Sequence, residues 1–204
     1  MDYKAVIFDL GRVLVNFDFK RGYRQLEGLC PYPADEIPKR LAGTGLVQEF
    51  ESGRIEPRPF VSAIAEVLSL DVDYDRFCDI WSSIFLEPLI PDAMLEGLKA
   101  RYRLVLMSNT NAIHFEMLRE AYEQQLRHFD DLVLSYKVGA MKPRPEIYRA
   151  AVEKAGCAAG ECFYTDDIAE YVEAGRRMGM DAVQFRSLDQ LEGELNARGI
   201  AWTD

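Results

Sequence analysis

The hydrophobic pattern of this chain changes twice. It opens with an apolar run of β-formers, Ala5-Val6-Ile7-Phe8, that ends in Asp9, Leu10 and Gly11. A short continuous apolar run closed by a glycine turn reads as a strand buried on both faces, of the kind a parallel sheet holds at its centre. From Asn16 to about Glu87 the period becomes helical. Asp18 is placed to cap a helix carrying Phe19, Tyr23 and Leu26, and the run Cys30-Pro31-Tyr32-Pro33 breaks it. A second helix begins near Ala34 or Asp35, and a third covers Leu46 to Glu51. Pro59 opens another, with Phe60, Ile64, Val67 and Leu68 on one face. Asp73 caps the next, where Phe77, Ile80, Trp81 and Ile84 recur at helical spacing. No strand pattern shows in this stretch.

From Pro88 onward the periods alternate. Strands are expected over 104–107, 132–134, 162–164 and 182–185, with helices over 92–100, 111–122, 146–155, 168–178 and 188–197. The segment from Lys137 to Pro145 reads as a loop. Alternating strands and helices imply a parallel sheet with right-handed crossovers. The expected fold is therefore α/β, a doubly wound parallel sheet with a small all-helical cap inserted after the first strand. The core takes residues 1–15 and 88–204, and the cap takes 16–87.

Composition narrows the function classes. The 204 residues suit one domain with a small insertion. A net charge of -10 argues against nucleic acid and against an anionic membrane surface as partners. An anionic substrate must then be held by local positive groups or by a metal. The cysteines Cys30, Cys78, Cys157 and Cys162 make no CxxC pair and no zinc spacing with His114 and His128. They read as reduced thiols of a cytoplasmic protein, a Cys157–Cys162 disulfide being the minor alternative. No signal peptide and no membrane-spanning run is expected.

The strand ends carry the chemistry. Asp9, Ser108 with Asn109, Lys142, and Asp166 with Asp167 should all arrive at the carboxyl edge of the sheet, where open α/β folds place their ligands. Taken singly each is ordinary: a turn residue, a solvated lysine, a helix cap. Together they are three carboxylates, a hydroxyl and an ammonium. Crowded carboxylates do not all stay ionised without cations. Mg²⁺ suits oxygen ligands and tolerates phosphate in its shell. Lys142 would hold Asp9 ionised, and Ser108 would bind phosphate oxygens. Such a set suits attack by a carboxylate on phosphorus, through an aspartyl-phosphate.

The segments DLGRVL, LMSNTN, KVGAMKPRPEIY and FYTDD stand in an order and spacing that resemble the haloacid dehalogenase-like hydrolase superfamily. The helical stretch resembles its type-1 cap. Within the superfamily the chain is most similar to the small bacterial phosphatases that include α-glucose-1-phosphate phosphatase, and to the phosphatase domain of soluble epoxide hydrolases. The resemblance implies Asp9 as nucleophile and Mg²⁺ ligand and Gly11 as a backbone-carbonyl ligand. It implies Ser108 and Asn109 as phosphate-binding residues and Lys142 as the residue orienting Asp9 and phosphate. Asp167 would be a direct Mg²⁺ ligand, and Asp166 a ligand directly or through water.

One departure matters. The usual phosphatase carries a second aspartate two residues after the nucleophile, which serves as general acid and then base. Here that residue is Gly11. Acid–base help is worth about 10²–10⁴ in rate. Three readings follow: a substrate with a good leaving group, such as a sugar 1-phosphate; a surrogate acid, Asp18 first and His114 second, each more readily a cap or surface residue; or a phosphate-binding regulatory protein without turnover. Arg12 and Tyr171 are lesser departures. A 2-haloacid dehalogenase is disfavoured by the pair Asp166-Asp167, and a phosphomutase by Gly11. The expectation is a Mg²⁺-dependent phosphatase of a small phosphorylated metabolite, with a sugar 1-phosphate favoured, acting as monomer or homodimer.

Overall fold

The computed structural model describes residues 2–203, so the outermost residues of the expected core, 1 and 204, lie outside that range. Its strands are β1 (Ala5–Phe8), β2 (Val15–Phe17), β3 (Phe85–Pro88), β4 (Arg103–Ser108), β5 (Asp131–Leu134), β6 (Cys162–Asp166) and β7 (Asp181–Gln184). Five of them form a parallel sheet in the order β5-β4-β1-β6-β7. β1 is central, with Ile7 opposite Val105 on one side and Tyr164 on the other. Its four residues are fully buried. Burying side chains of this size is worth roughly 1.5–3 kcal/mol each for the larger ones, which is why an unbroken apolar run settles in the middle.

Helices cover both faces. Between β2 and β3 run α1 (Phe19–Glu27), α2 (Ile37–Ala42), α3 (Leu46–Glu51), α4 (Pro57–Leu68) and α5 (Tyr74–Ser82). After β3 come α6 (Asp92–Lys99), α7 (Ala112–Ala121), α8 (Glu123–Leu126), α9 (Ser135–Val138), α10 (Pro145–Ala155), α11 (Ala169–Arg177) and α12 (Leu188–Ala197). Val6, Phe8, Leu104 and Leu106 pack with residues of α6, α7 and α12. Their neighbours along the strands, Ala5, Ile7, Val105 and Met107, pack with α10 and α11. Alternate residues point to opposite faces, so a doubly covered strand must be apolar throughout.

One feature differs from the sequence expectation. The stretch before Pro88 does contain strand: β2 and β3 pair antiparallel, Phe17 opposite Phe85, so the chain leaves the parallel sheet and returns to it through one ribbon. Each strand is too short to show a period. Of the apolar residues on α1, Phe19 is 45% exposed and Leu26 is buried. Asp18 and Asp73 do cap α1 and α5 through their side chains. The four cysteines are free thiols, with the Cys157 and Cys162 sulfurs 3.5 Å apart. No helix among the described residues is long and apolar enough to cross a membrane.

The helices between β2 and β3 have their own apolar centre. Phe50 stacks on Phe60 with ring centroids 4.1 Å apart, and Phe77 stacks on Trp81 at 5.4 Å. This unit touches α9 at one tight place. The Ser135 hydroxyl lies 2.5 Å from the Glu51 carbonyl oxygen. Gly53, at a φ of +69°, approaches the Tyr136 carbonyl so closely that a Cβ would sit 2.1 Å from it. Only glycine satisfies both the left-handed backbone and that approach.

Candidate active site

β1, β4 and β6 end at the same edge, and each delivers part of one cluster. Asp9 follows β1 directly, Ser108 ends β4, and Asp166 ends β6 with Asp167 next to it. Lys142 comes from the segment between α9 and α10 and is only 3% exposed. Its ammonium donates to Asp9 Oδ1 at 2.7 Å, to Asp166 Oδ2 at 2.6 Å and to the Met107 carbonyl at 3.2 Å. A lysine ammonium has three protons, and all three have protein acceptors. No ammonium proton is left free, so what Lys142 offers an anion at this edge is its charge.

Asp166 is equally occupied. Its Oδ2 also accepts from the Tyr164 hydroxyl at 2.5 Å, and its Oδ1 accepts from the Ile168 N–H at 2.9 Å. Asp167 is the more open carboxylate, half-buried, with its main-chain carbonyl held by Gln184 at 2.8 Å. Ligand oxygens of Asp9, Asp166 and Asp167 all lie within 4.8 Å of one another.

The charges explain each other. Burial pushes Asp9 up to about 7; Lys142 opposes this and the Asp166 charge adds to it. Burial also disfavours the Lys142 ammonium, but Asp9 and Asp166 outweigh it and hold the lysine charged above its usual range. Asp167 is raised by burial and by Asp166. One ammonium faces three carboxylates, so the cluster is short of positive charge. A hard divalent cation with oxygen ligands fits this donor set, and Mg²⁺ is such a cation.

Asn109, expected to bind phosphate, has its side chain engaged elsewhere. Its Nδ2 donates to the Lys142 carbonyl at 3.0 Å, and its Oδ1 accepts from the Lys142 N–H at 2.7 Å. It fixes the lysine segment. Ser108 is buried and borders a small cavity with Gly11, Phe17, Glu51 and Asn109. Tyr164, Phe17 and Glu51 were not singled out from the sequence. Nothing in their local pattern distinguishes them from core or helix residues, because they reach the site only through tertiary contacts.

Of the two surrogate acids the sequence offers, Asp18 is a helix cap and His114 is a buried, hydrogen-bonded ring. The Asp18 side chain accepts from the Lys20 N–H and borders a separate outer hollow with Phe19, Tyr23 and Arg24. His114 is buried. Its Nε2 donates to the Trp81 carbonyl at 3.0 Å, and its Nδ1 accepts from Asn111 at 3.1 Å. Burial lowers it to about 4, so it stays neutral.

Gly11 has a structural reason of its own. A Cβ there would stand 2.7 Å from the Phe17 ring. That ring is hemmed in by Phe19 at 4.9 Å, Phe85 at 6.3 Å and the Arg12 guanidinium at 5.0 Å. An aspartate cannot be restored at position 11 without displacing it. Gly11→Asp is expected to destabilise the protein by about 1–3 kcal/mol, the usual range for overpacking. Thermal unfolding checks this, and the loss should shrink in a Phe17→Ala background if the ring is the obstacle.

The family model for haloacid dehalogenase-like hydrolases matches residues 3–179. A protein of Mycobacterium tuberculosis named as a phosphatase is 30% identical over 195 residues, covering 89% of this chain and 87% of its own. The D-ribitol-5-phosphate phosphatase of Bacteroides thetaiotaomicron is 26% identical over 189 residues, covering 89% and 91%. A crystal structure of a haloacid dehalogenase family enzyme from the same bacterium, in complex with magnesium and inorganic phosphate, superposes with a TM-score of 0.79 at 27% identity, covering 91% of this chain and 96% of that one. The chain belongs to the haloacid dehalogenase-like hydrolase family.

Proposed function

We propose that this chain is a Mg²⁺-dependent phosphatase acting on a small phosphorylated metabolite, with a sugar or sugar-alcohol phosphate favoured. One observation carries the reading: a buried lysine bridges the carboxylate at the end of the central strand to a second buried carboxylate, with a third, open one beside them. Relatives named as phosphatases support it, as does a structural neighbour crystallised with magnesium and phosphate.

Asp9, Asp167 and the Gly11 carbonyl would hold the ion, with Asp166 contributing directly or through water. When bound, Mg²⁺ supplies positive charge to the phosphoryl oxygens and favours ionised Asp9. Asp9, held by Lys142, attacks phosphorus with its second oxygen. The bond to the leaving oxygen breaks, and the phosphoryl group rests on Asp9 until water displaces it. Ser108 binds a phosphoryl oxygen, Asn109 positions Lys142, and Lys142 lowers the cost of charge in the buried site. Residues 16–87 form the cap that covers the site and selects the substrate.

A sugar 1-phosphate should be turned over fastest, because an anomeric oxygen leaves more easily than an alkoxide. The test is phosphate release from a panel of sugar 1-phosphates and primary phosphates, with Mg²⁺ and with EDTA. Release that EDTA stops and Mg²⁺ restores is expected. No release from any substrate in the panel refutes the reading.

A further inference from the structure

We infer that Glu51, delivered by the cap, is the proton donor and acceptor that replaces the missing aspartate of position 11. The inference rests on the phosphatase reading and goes beyond it.

Four observations lead there. First, a Cβ at position 11 would stand 2.7 Å from the Phe17 ring, so the usual acid could sit on that loop only by displacing the ring. Second, Glu51 borders the cavity that Gly11 and Ser108 also border. His114 is the other ionisable side chain on that wall, and its hydrogen bonds fix it as a neutral ring. Third, Glu51 is placed firmly. Its main-chain carbonyl is held by Ser135, and two residues on Gly53 is seated against Tyr136. These anchors fix the backbone of a residue that lines the cavity wall. Fourth, its environment suits proton transfer. Burial alone pushes Glu51 up to about 7, so both of its forms are populated near neutral pH. Tyr171, the other titratable group that senses Glu51, is raised by burial and stays protonated.

The balance is complete. As an Asp9 oxygen bonds to phosphorus, the electron pair of the breaking bond goes to the leaving oxygen, and the Glu51 carboxyl gives that oxygen its proton. The alcohol departs and Glu51 is left as carboxylate. It then takes a proton from a water whose oxygen attacks the aspartyl-phosphate. The bond from phosphorus to Asp9 breaks, inorganic phosphate is released, and Glu51 regains its acid form.

The experiment compares wild type with Glu51→Gln, both with Mg²⁺, on a primary sugar phosphate and on p-nitrophenyl phosphate. Glutamine keeps the shape and the main-chain anchor and cannot transfer the proton. Turnover of the primary phosphate should fall about 10²–10⁴-fold. With p-nitrophenyl phosphate the first step needs no acid, so Glu51→Gln should release a rapid burst of nitrophenolate, about one per enzyme, and then slow down because the second step lacks its base. That burst also shows that the variant is folded. Equal losses on both substrates without a burst would assign Glu51 a binding or structural role and overturn the inference. Wild-type turnover of the primary phosphate by Glu51→Gln would overturn it while leaving the phosphatase reading intact. A wild-type protein inactive on both substrates would remove that reading, and this one with it.

Discussion

In the Asp9→Asn protein, Mg²⁺-dependent phosphate release should fall by roughly four to six orders of magnitude, the loss typical of removing a nucleophile from a site whose parts act as a unit. The reason is chemical rather than structural. Asparagine can still accept from Lys142 through the oxygen that now sits 2.7 Å from it, so the lysine and Asp166 keep their places. What disappears is the anionic oxygen that bonds to phosphorus. A side reaction in which water attacks phosphorus directly would leave measurable turnover, and its detection would assign Asp9 to metal binding alone.

The same variant makes a prediction about stability. Burial lifts Asp9 from 3.8 to about 7 in the folded, metal-free protein. A carboxyl raised in this way favours the fold below its unfolded value and loses that contribution as pH rises through its folded one. Asparagine has no such term. Measured in EDTA, the thermal midpoint of Asp9→Asn relative to wild type should therefore climb between about pH 4 and pH 7. A difference that stays flat with pH would mean that Lys142 keeps Asp9 ionised throughout, with no burial penalty at this position.

Much of this site was legible in the sequence because the sheet makes it so. Ala5 to Phe8 is apolar at every position since both of its faces are covered, and the carboxylate that ends the run must lie at the sheet edge. The same logic places Ser108 and Asp166 at the ends of neighbouring strands. What the sequence could not show is how the donors are shared. Asn109 sits beside Ser108 in the chain, yet its side chain turns away to hold Lys142. Asp166 and Asp167 look equivalent as letters, but one is saturated with donors and the other is open. Glu51 reads as the end of a short helix, and only the docking of that helix on Ser135 and Tyr136 brings it to the cavity. Phe17 reads as one more apolar residue, although its ring explains why a glycine stands at position 11.

Lys142→Met should be the most destabilising single change in the site. The ammonium joins two buried carboxylates and also ties down the Met107 carbonyl. Methionine has nearly the same length and is apolar, so packing is kept and the charge is lost. Breaking one partner out of a buried pair usually costs about 3–5 kcal/mol, because the remaining charge has nothing to compensate it. Here two carboxylates are stranded, and they relieve the cost by taking up protons. Two consequences distinguish this account from a simple loss of packing. Stability of Lys142→Met should improve as pH falls toward 5, where wild type gains less, since protonation now removes the uncompensated charge. Stabilisation by Mg²⁺ should also be larger in Lys142→Met than in wild type, because the ion becomes the site's one source of positive charge for Asp9 and Asp166. Thermal unfolding across pH, with and without Mg²⁺, measures both. A variant that is destabilised equally at every pH and no more responsive to Mg²⁺ than wild type would show that Lys142 matters for filling space, and the charge balance argued for this cluster would then be wrong.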